Sequence, residues 1–341
     1  MWLEHAYPRR LITVPAVYAA LFVLLTTLPL AVVVAAFVSP WLPGRLRGLR
    51  LLWFLVVYLV LQAVGLAAAG VLWLAAGCEH NLGTARFRGR HYRLIDHLLA
   101  ALLRTARRLF HVHMTLQADP PPDEQPDVPH DDPRPLLVLS RHAGPGDSFL
   151  LVHELLREYR RNPRIVLKAT LQWDPLIDVL LNRVPTRFIR TARAGVADTI
   201  GLLARDLGPA DALVLFPEGA NFTVDRRTRG IDRLEQAGRH EQAARARRLR
   251  HLLPPRPAGT LAALAAAPHA DVVFVAHSGL EQLSTIGDLW RGLPMDAEVR
   301  ARLWTVAAED VPAEPEARIA WLYDWWEHLD AWIDATRAAR C

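Results

Sequence analysis

Two stretches near the start of the chain leave it few ways to fold. Leu11 to Val38 holds no charged residue in 28 positions and Leu51 to Gly77 holds none in 27, with Gln62 the only strongly polar side chain of the second run. A bilayer core about 30 Å thick is crossed by about 20 helical residues. Both runs therefore have length to spare, and Pro15 and Pro29 can kink the first. Ser39 to Arg50, with Pro40, Pro43 and Gly44, reads as the turn of a helical hairpin. A cleavable signal peptide is a poor reading, because the first run is too long and a second follows directly. Arg9, Arg10, Arg86, Arg88, Arg90 and Arg93 flank the pair, against Arg45, Arg47 and Arg50 in the turn. The excess of positive charge outside the hairpin predicts both ends in the cytoplasm. A hairpin dipping into one leaflet meets the same length requirement.

Beyond about Ala85 the pattern changes, so the expected division is a membrane anchor over 1–84 and a catalytic domain over 85–341. The length of 341 residues allows about two folding units. With 52% apolar residues the chain is not a disordered one. Cys78 and Cys341 match no metal-ligand spacing and make no disulfide framework, which suits a reducing compartment and gives no metal site. A net charge of +5, with Lys168 the single lysine among 40 basic residues, is too slight to imply a nucleic-acid partner.

Short apolar runs alternate with helical stretches through the rest of the chain, which predicts an α/β fold: a mostly parallel central sheet flanked by helices. The expected strands are His111–Gln117, Leu136–Ser140, Arg164–Leu167, Arg187–Ile189, Ala212–Phe216, Asp271–Ala276 and Ala301–Val306. The expected helices include Phe149–Arg160, Gly195–Leu207 and Ile231–Leu253, and a late helix carries Trp321, Trp325, Trp326 and Trp332 to pack on the sheet. The proline-rich acidic stretch from Ala118 to Pro135 reads as a solvated loop. His111 and His113, alternating on one strand, lack a third metal ligand and read as structural.

Three constellations could carry chemistry. In SRHAGPGDSF, a strand ends at Ser140 and Gly144-Pro145-Gly146 breaks any continuous helix between His142 and Asp147. If the chain folds back there, with a helix opening at Asp147-Ser148, the carboxylate can hold the imidazole as a general base. An Asp N-cap beside an incidental histidine fits the same residues. In ALVLFPEGANFT, Phe216-Pro217-Glu218-Gly219 closes an apolar strand, where open α/β sheets place ligands and where an ordinary turn would also fit. In VPTRFIRTARAG, Arg187, Arg190 and Arg193 offer planar donors suited to phosphate, or a solvated charged face. The arginine-rich stretch 231–250 is open to the same two readings. No G-x-S-x-G, Walker or Rossmann glycine pattern is present.

The order H-x4-D, F-I-x-R, F-P-E-G resembles the glycerolipid acyltransferase family. FPEGANFT followed by an Arg-rich helix and LRHLLPPRPAG is most similar to the branch of lysocardiolipin and longer-chain lysophosphatidate acyltransferases. Arg141 stands where that family usually has Asn, and Ala220 replaces its usual Thr. The resemblance implies an O-acyltransferase that needs no bound cofactor and takes acyl-CoA, or an acyl carrier protein thioester, as donor substrate. The acceptor it implies is a membrane lysophospholipid, with 1-acylglycerol-3-phosphate leading and lysophosphatidylinositol, lysocardiolipin or a glycosylated phosphoinositide as alternatives. A non-catalytic lipid-binding relative is the reading from another class. His142 would be the base and Asp147 its orienter. Arg190 would bind the acceptor phosphate, Lys168 would match a basic position ahead of it, with Arg187 nearby in the same motif, and Phe216, Pro217, Glu218 and Gly219 would shape the acceptor pocket. Backbone N–H groups between Gly144 and Ser148 are the candidate oxyanion donors. The acceptor, the donor form and the oligomeric state stay open.

Overall fold

A computed structural model describes residues 6–41, 46–118, 134–189, 195–279 and 298–339. Its contacts divide the chain into one unit of Met1–Val112, Leu167–Thr191 and Gly292–Ala297, and another of His113–Val166, Ala192–Arg291 and Glu298–Cys341. The boundary at residue 84 expected from hydropathy falls inside the first unit.

The first unit is built on α1 (Ala6–Val38), α2 (Arg47–Ala75) and α3 (Ala85–Phe110). Helices α1 and α2 are long and apolar enough to cross a membrane. In α1, Leu11, Phe22 and Phe37 are each more than two-thirds exposed, a continuous apolar surface that suits lipid better than water. Helix α2 is partly covered: its most apolar window is 28% buried within the chain, against none for α1. The Tyr18 hydroxyl of α1 donates to the Ala63 carbonyl of α2 at 2.9 Å. Where α3 ends, His111 takes a left-handed conformation (φ 55°), so it caps that helix and does not share a strand with His113.

The second unit is α/β. Its strands are β1 (His113–Ala118), β2 (Leu136–Ser140), β3 (Asn162–Lys168), whose last two residues belong to the first unit, β5 (Asp211–Leu215), β6 (Asp271–Ser278) and β7 (Glu298–Val306). They lie in the order β1-β7-β6-β2-β5-β3. All neighbours are parallel except β6 and β7. The central strands β2, β5 and β6 are buried almost throughout, which is why they read as unbroken apolar runs. Between and after the strands run α4 (Pro145–Arg157), α6 (Val196–Ala204), α7 (Val224–Gln236), α8 (His240–Arg248), α9 (Pro257–Ala266) and α10 (Pro315–Ala338). The first unit adds α5 (Pro175–Leu181) and β4 (Thr186–Ile189).

The tryptophans of α10 pack as expected. Leu322, Trp326, Leu329 and Ile333 are essentially buried in one cluster with Leu137, Leu213 and Phe274 of the sheet. The Trp325 ring stacks on Phe274 at 4.5 Å between centroids. Each such side chain contributes roughly 1.5–3 kcal/mol by leaving water.

Two helices differ from the sequence reading. Helix α4 begins four residues early, because Pro145 occupies the first helical position, where its missing N–H costs nothing. The single helix expected over Ile231–Leu253 is two helices, and Leu253 lies past the end of both. Gly238 takes φ +71°, and N–H groups of Gly238 and Arg239 turn back to the carbonyls of Glu235 and Leu234. That paired arrangement closes a helix end, and a lone glycine within a charged periodic stretch gives little warning of it.

Candidate functional site

Strand register assembles the site before any side chain is considered. Strand β2 is flanked by two parallel neighbours, with Leu139 paired to Leu215 of β5 and Ser140 paired to Val275 of β6. Continuing those offsets past the strand ends brings His142 level with Glu218 on one side and His277 on the other. Three residues from distant parts of the sequence thus meet at the carboxyl edge of the sheet, where α/β folds open their ligand sites.

His142 leaves the sheet just before α4 opens. Its Nδ1 lies 3.0 Å and 3.1 Å from the two carboxylate oxygens of Asp147. Asp147 is the third residue of α4, and it also accepts the N–H of Ala143 (2.7 Å), the N–H of Gly144 (3.1 Å) and the Ser148 hydroxyl (3.1 Å). The fold-back and the cap are therefore one structure: a single carboxylate closes the helix start and grips the imidazole. Burial would push the Asp147 carboxyl up, but the hydrogen bonds and charges of His142 and His277 hold it well below the usual carboxylate range. An acceptor on Nδ1 fixes the hydrogen there and leaves the lone pair of the neutral ring on Nε2. Nε2 has no partner among the described residues, and the side chain keeps 19% of its surface exposed. It is a positioned, accessible proton acceptor.

Glu218 does something the sequence did not suggest. It is 1% exposed, and its oxygens accept the backbone N–H of His142 (2.8 Å) and of Leu253 (2.9 Å). Burial raises its pKa to about 7, against the opposing pull of Arg141 and the two backbone donors. Phe216 packs its ring against His142 with 4.6 Å between centroids. Pro217 is buried, and its carbonyl accepts the Arg256 N–H at 2.9 Å. Gly219 has φ +67°, and a side chain there would lie 3.2–3.4 Å from the Arg256 guanidinium. The tetrapeptide thus braces the histidine's backbone and ring and turns sharply away.

Two buried residues nearby were not among the candidate site residues. His277, on β6, places Nε2 3.6 Å from the Asp147 carboxylate. Arg141 is fully buried, and its guanidinium donates to the carbonyls of His277 and His251. The departure from the family's usual Asn is therefore a large side chain tying β6 to the segment after α8. Arg141 stood out in the sequence only as a departure from the usual Asn and His277 belongs to no short motif, so what they do follows from the β2–β6 pairing.

Lys168 ends β3 and Arg187 lies on β4, both exposed and both in the first unit. Arg190 lies outside the described residues, as does Arg193. Among the oxyanion candidates, the Gly144 N–H is taken by Asp147 and Pro145 has none, so the stretch offers fewer donors than expected. No group of His, Cys, Asp or Glu among the described residues could hold a metal ion. A narrow apolar crevice runs beneath the dyad between the sheet and α4, lined by Val138, Leu151, Leu155 and Val273, with Asp147 and His277 at its polar end.

Residues 124–275 match the family model described as Acyltransferase, a stretch that contains His142, Asp147, Glu218 and most of the sheet. The match covers less than half of the chain and supports a lipid acyltransferase of the glycerolipid type in general. No curated protein and no solved structure matches the chain.

Proposed function

We propose that this chain is a membrane-associated, acyl-CoA-dependent O-acyltransferase that esterifies the free hydroxyl of a lysophospholipid, with 1-acylglycerol-3-phosphate as the leading acceptor and phosphatidic acid as product. The observation that carries this reading is the imidazole of His142, held at Nδ1 by buried Asp147 with Nε2 free, inside the stretch that matches acyltransferases. Nε2 takes the proton of the acceptor hydroxyl as its oxygen attacks the thioester carbonyl. The tetrahedral adduct collapses with cleavage of the C–S bond, and the same proton passes to the leaving thiolate to give CoA thiol. No acyl-enzyme forms. Asp147 keeps the ring in the useful tautomer and stabilises the imidazolium that appears midway.

Glu218 and Phe216 act on His142 from behind and from the side, which supports a positioning role for F-P-E-G alongside any contact with the acceptor. Phosphate recognition rests on the resemblance, which assigns it to Arg190 with Lys168 and Arg187. The two apolar helices are compatible with association with the membrane that would hold the acceptor, and the arginine balance favours a catalytic domain facing the cytoplasm.

The deciding experiment incubates the purified full chain with labelled acyl-CoA, or the acyl carrier protein thioester, and a panel of lysolipids, and identifies the product. Transfer to lysophosphatidate above all others supports the reading. Preference for a larger lysolipid replaces the acceptor, and no transfer to any member leaves a lipid-binding protein. Within the active enzyme, Arg190→Ala should lower use of the phosphorylated acceptor about 10- to 150-fold, as expected for losing a charge-assisted contact of roughly 1.5–3 kcal/mol, and Arg193→Ala much less.

A further inference from the structure

From seven residues after F-P-E-G the chain is crowded with arginine, and the structure sorts those arginines into two kinds. Arg245 pairs with Asp324 and Glu327, Arg248 with Glu327, Arg250 with Asp334 and Arg247 with Glu235. Those charges are neutralised, most of them against α10. Arg226 and Arg233 of α7, Arg239 of the α7–α8 turn and Arg256 before α9 instead line one cleft of about 390 Å³, together with Glu218 and Pro254. None of the four has a carboxylate partner among the described residues. Arg226 donates to the Asn221 carbonyl and Arg233 to the Arg229 carbonyl, contacts that orient a guanidinium without compensating its charge. Glu218, the one acid lining the cleft, already has both oxygens engaged by backbone N–H groups.

Four like charges around one void repel each other. Burial lowers the Arg256 pKa, and the charge of Arg233 lowers it further. The chain keeps the arrangement all the same, and makes room for it: Gly219 carries no side chain where one would crowd the Arg256 guanidinium. The break at Gly238 has the same effect, since a continuous helix would not leave Arg239 in a turn beside Arg233. Guanidinium groups converging from three segments suit a tetrahedral oxyanion with two or more negative charges. The volume falls in the range of organic ligand sites and exceeds what a bare phosphate fills.

We propose that the cleft lined by Arg226, Arg233, Arg239 and Arg256 binds a phosphate ester, adjoining the loop that holds His142. As a substrate site it rests on the acyl-transfer reading, in which two molecules carry that chemistry: the CoA donor and the phosphorylated head of the acceptor. As an anion site it stands independently of any reaction.

Calorimetric titration of the full chain in detergent, with CoA and with glycerol 3-phosphate as separate probes, tests it. The double substitution Arg233→Gln/Arg239→Gln should weaken one of the two probes about tenfold or more. Arg229→Gln, on the same helix but not lining the cleft, should change binding less than about twofold. Loss confined to CoA identifies the donor, and loss confined to glycerol 3-phosphate identifies the acceptor head. The proposal is overturned if the intact chain binds neither probe, if the double variant binds both as well as the intact chain does, or if Arg229→Gln weakens them equally. Thermal unfolding of each variant separates loss of binding from loss of fold. Cleft-dependent binding in a protein that transfers no acyl group would sink the acyl-transfer reading and leave the anion site standing.

Discussion

Two of the carboxylates that the chain buries among nitrogen donors, Asp178 in the first unit and Asp147 in the second, serve different ends. Asp178, on α5, has a fully buried side chain and takes Arg9 at 2.6 Å and Arg10 at 2.7 Å, with Asn182 at 2.9 Å. Every donor it holds is a cation or an amide with no basic lone pair to offer, so the cluster ties α1 to α5 and is chemically finished. Asp147 is just as deeply buried, but besides the Ser148 hydroxyl it holds an imidazole with a second nitrogen that has no partner among the described residues, on a side chain that reaches solvent. Burial of a carboxylate does not mark a reactive site. What marks it is whether the group it orients keeps an unused lone pair.

That contrast can be broken most directly at the dyad. His142→Ala and Asp147→Asn should each cut turnover at least about 100-fold, since a positioned general base contributes about 10² to 10⁴. Two residues acting as one unit do not add, so the double variant should be little slower than His142→Ala alone. A folded Asp147→Asn protein with near-normal acyl transfer would reduce H-x4-D to a helix cap. Asp178→Asn should do the reverse. Leaving two arginines without their anion should cost about 3–5 kcal/mol of stability, read as thermal unfolding in detergent, while turnover per folded molecule stays close to that of the parent. Equal losses of specific turnover at both carboxylates would erase the distinction.

A smaller effect is expected at Glu218. Glu218→Gln keeps the shape but presents an amide to two backbone donors and can satisfy only one of them well, at a cost of about 1–3 kcal/mol. The pH dependence carries a sign. With its pKa raised to about 7, Glu218 contributes stability that is complete below its ordinary value of 4.5 and is lost as pH rises through about 7. Asp147, held below its ordinary value, contributes above about pH 4 and loses that contribution only in stronger acid. Unfolding temperatures measured from pH 5 to 8 should therefore decline for the parent chain and lack that step in Glu218→Gln. An identical decline in both proteins would assign the titration elsewhere. The smallest effect should follow from His277→Gln, which removes a contact to Asp147 at 3.6 Å while the tighter hydrogen bonds to that carboxylate survive. Turnover should fall by less than about tenfold. A loss as large as that of His142→Ala would mean that the wrong histidine has been taken for the base.

Much of this molecule follows from local pattern alone. The strands of the described residues fall where short apolar runs predicted them, and most plainly in β2, β5 and β6, because a strand buried on both faces has no alternative to an unbroken apolar sequence. The two apolar helices and the tryptophan helix are fixed by length, charge and 3.6-residue periodicity. His142 and Asp147 are legible for a related reason: they are five residues apart, and the glycines and proline between them restrict the turn that joins them. What the sequence could not show depends on separations of tens to hundreds of residues. Glu218 accepts the backbone N–H of His142 across 76 positions, and a four-residue motif carries no record of a backbone donor so distant in sequence. His277 reaches Asp147 only because β6 pairs with β2 in one register; a slip of one residue would turn its side chain to the opposite face. Among the arginines of α7 and α8, the pattern shows only an exposed, charged surface. Which of them meet a carboxylate and which are left facing a cleft is decided by where Gly238 ends one helix and by the acidic residues that α10 brings from 80 positions away.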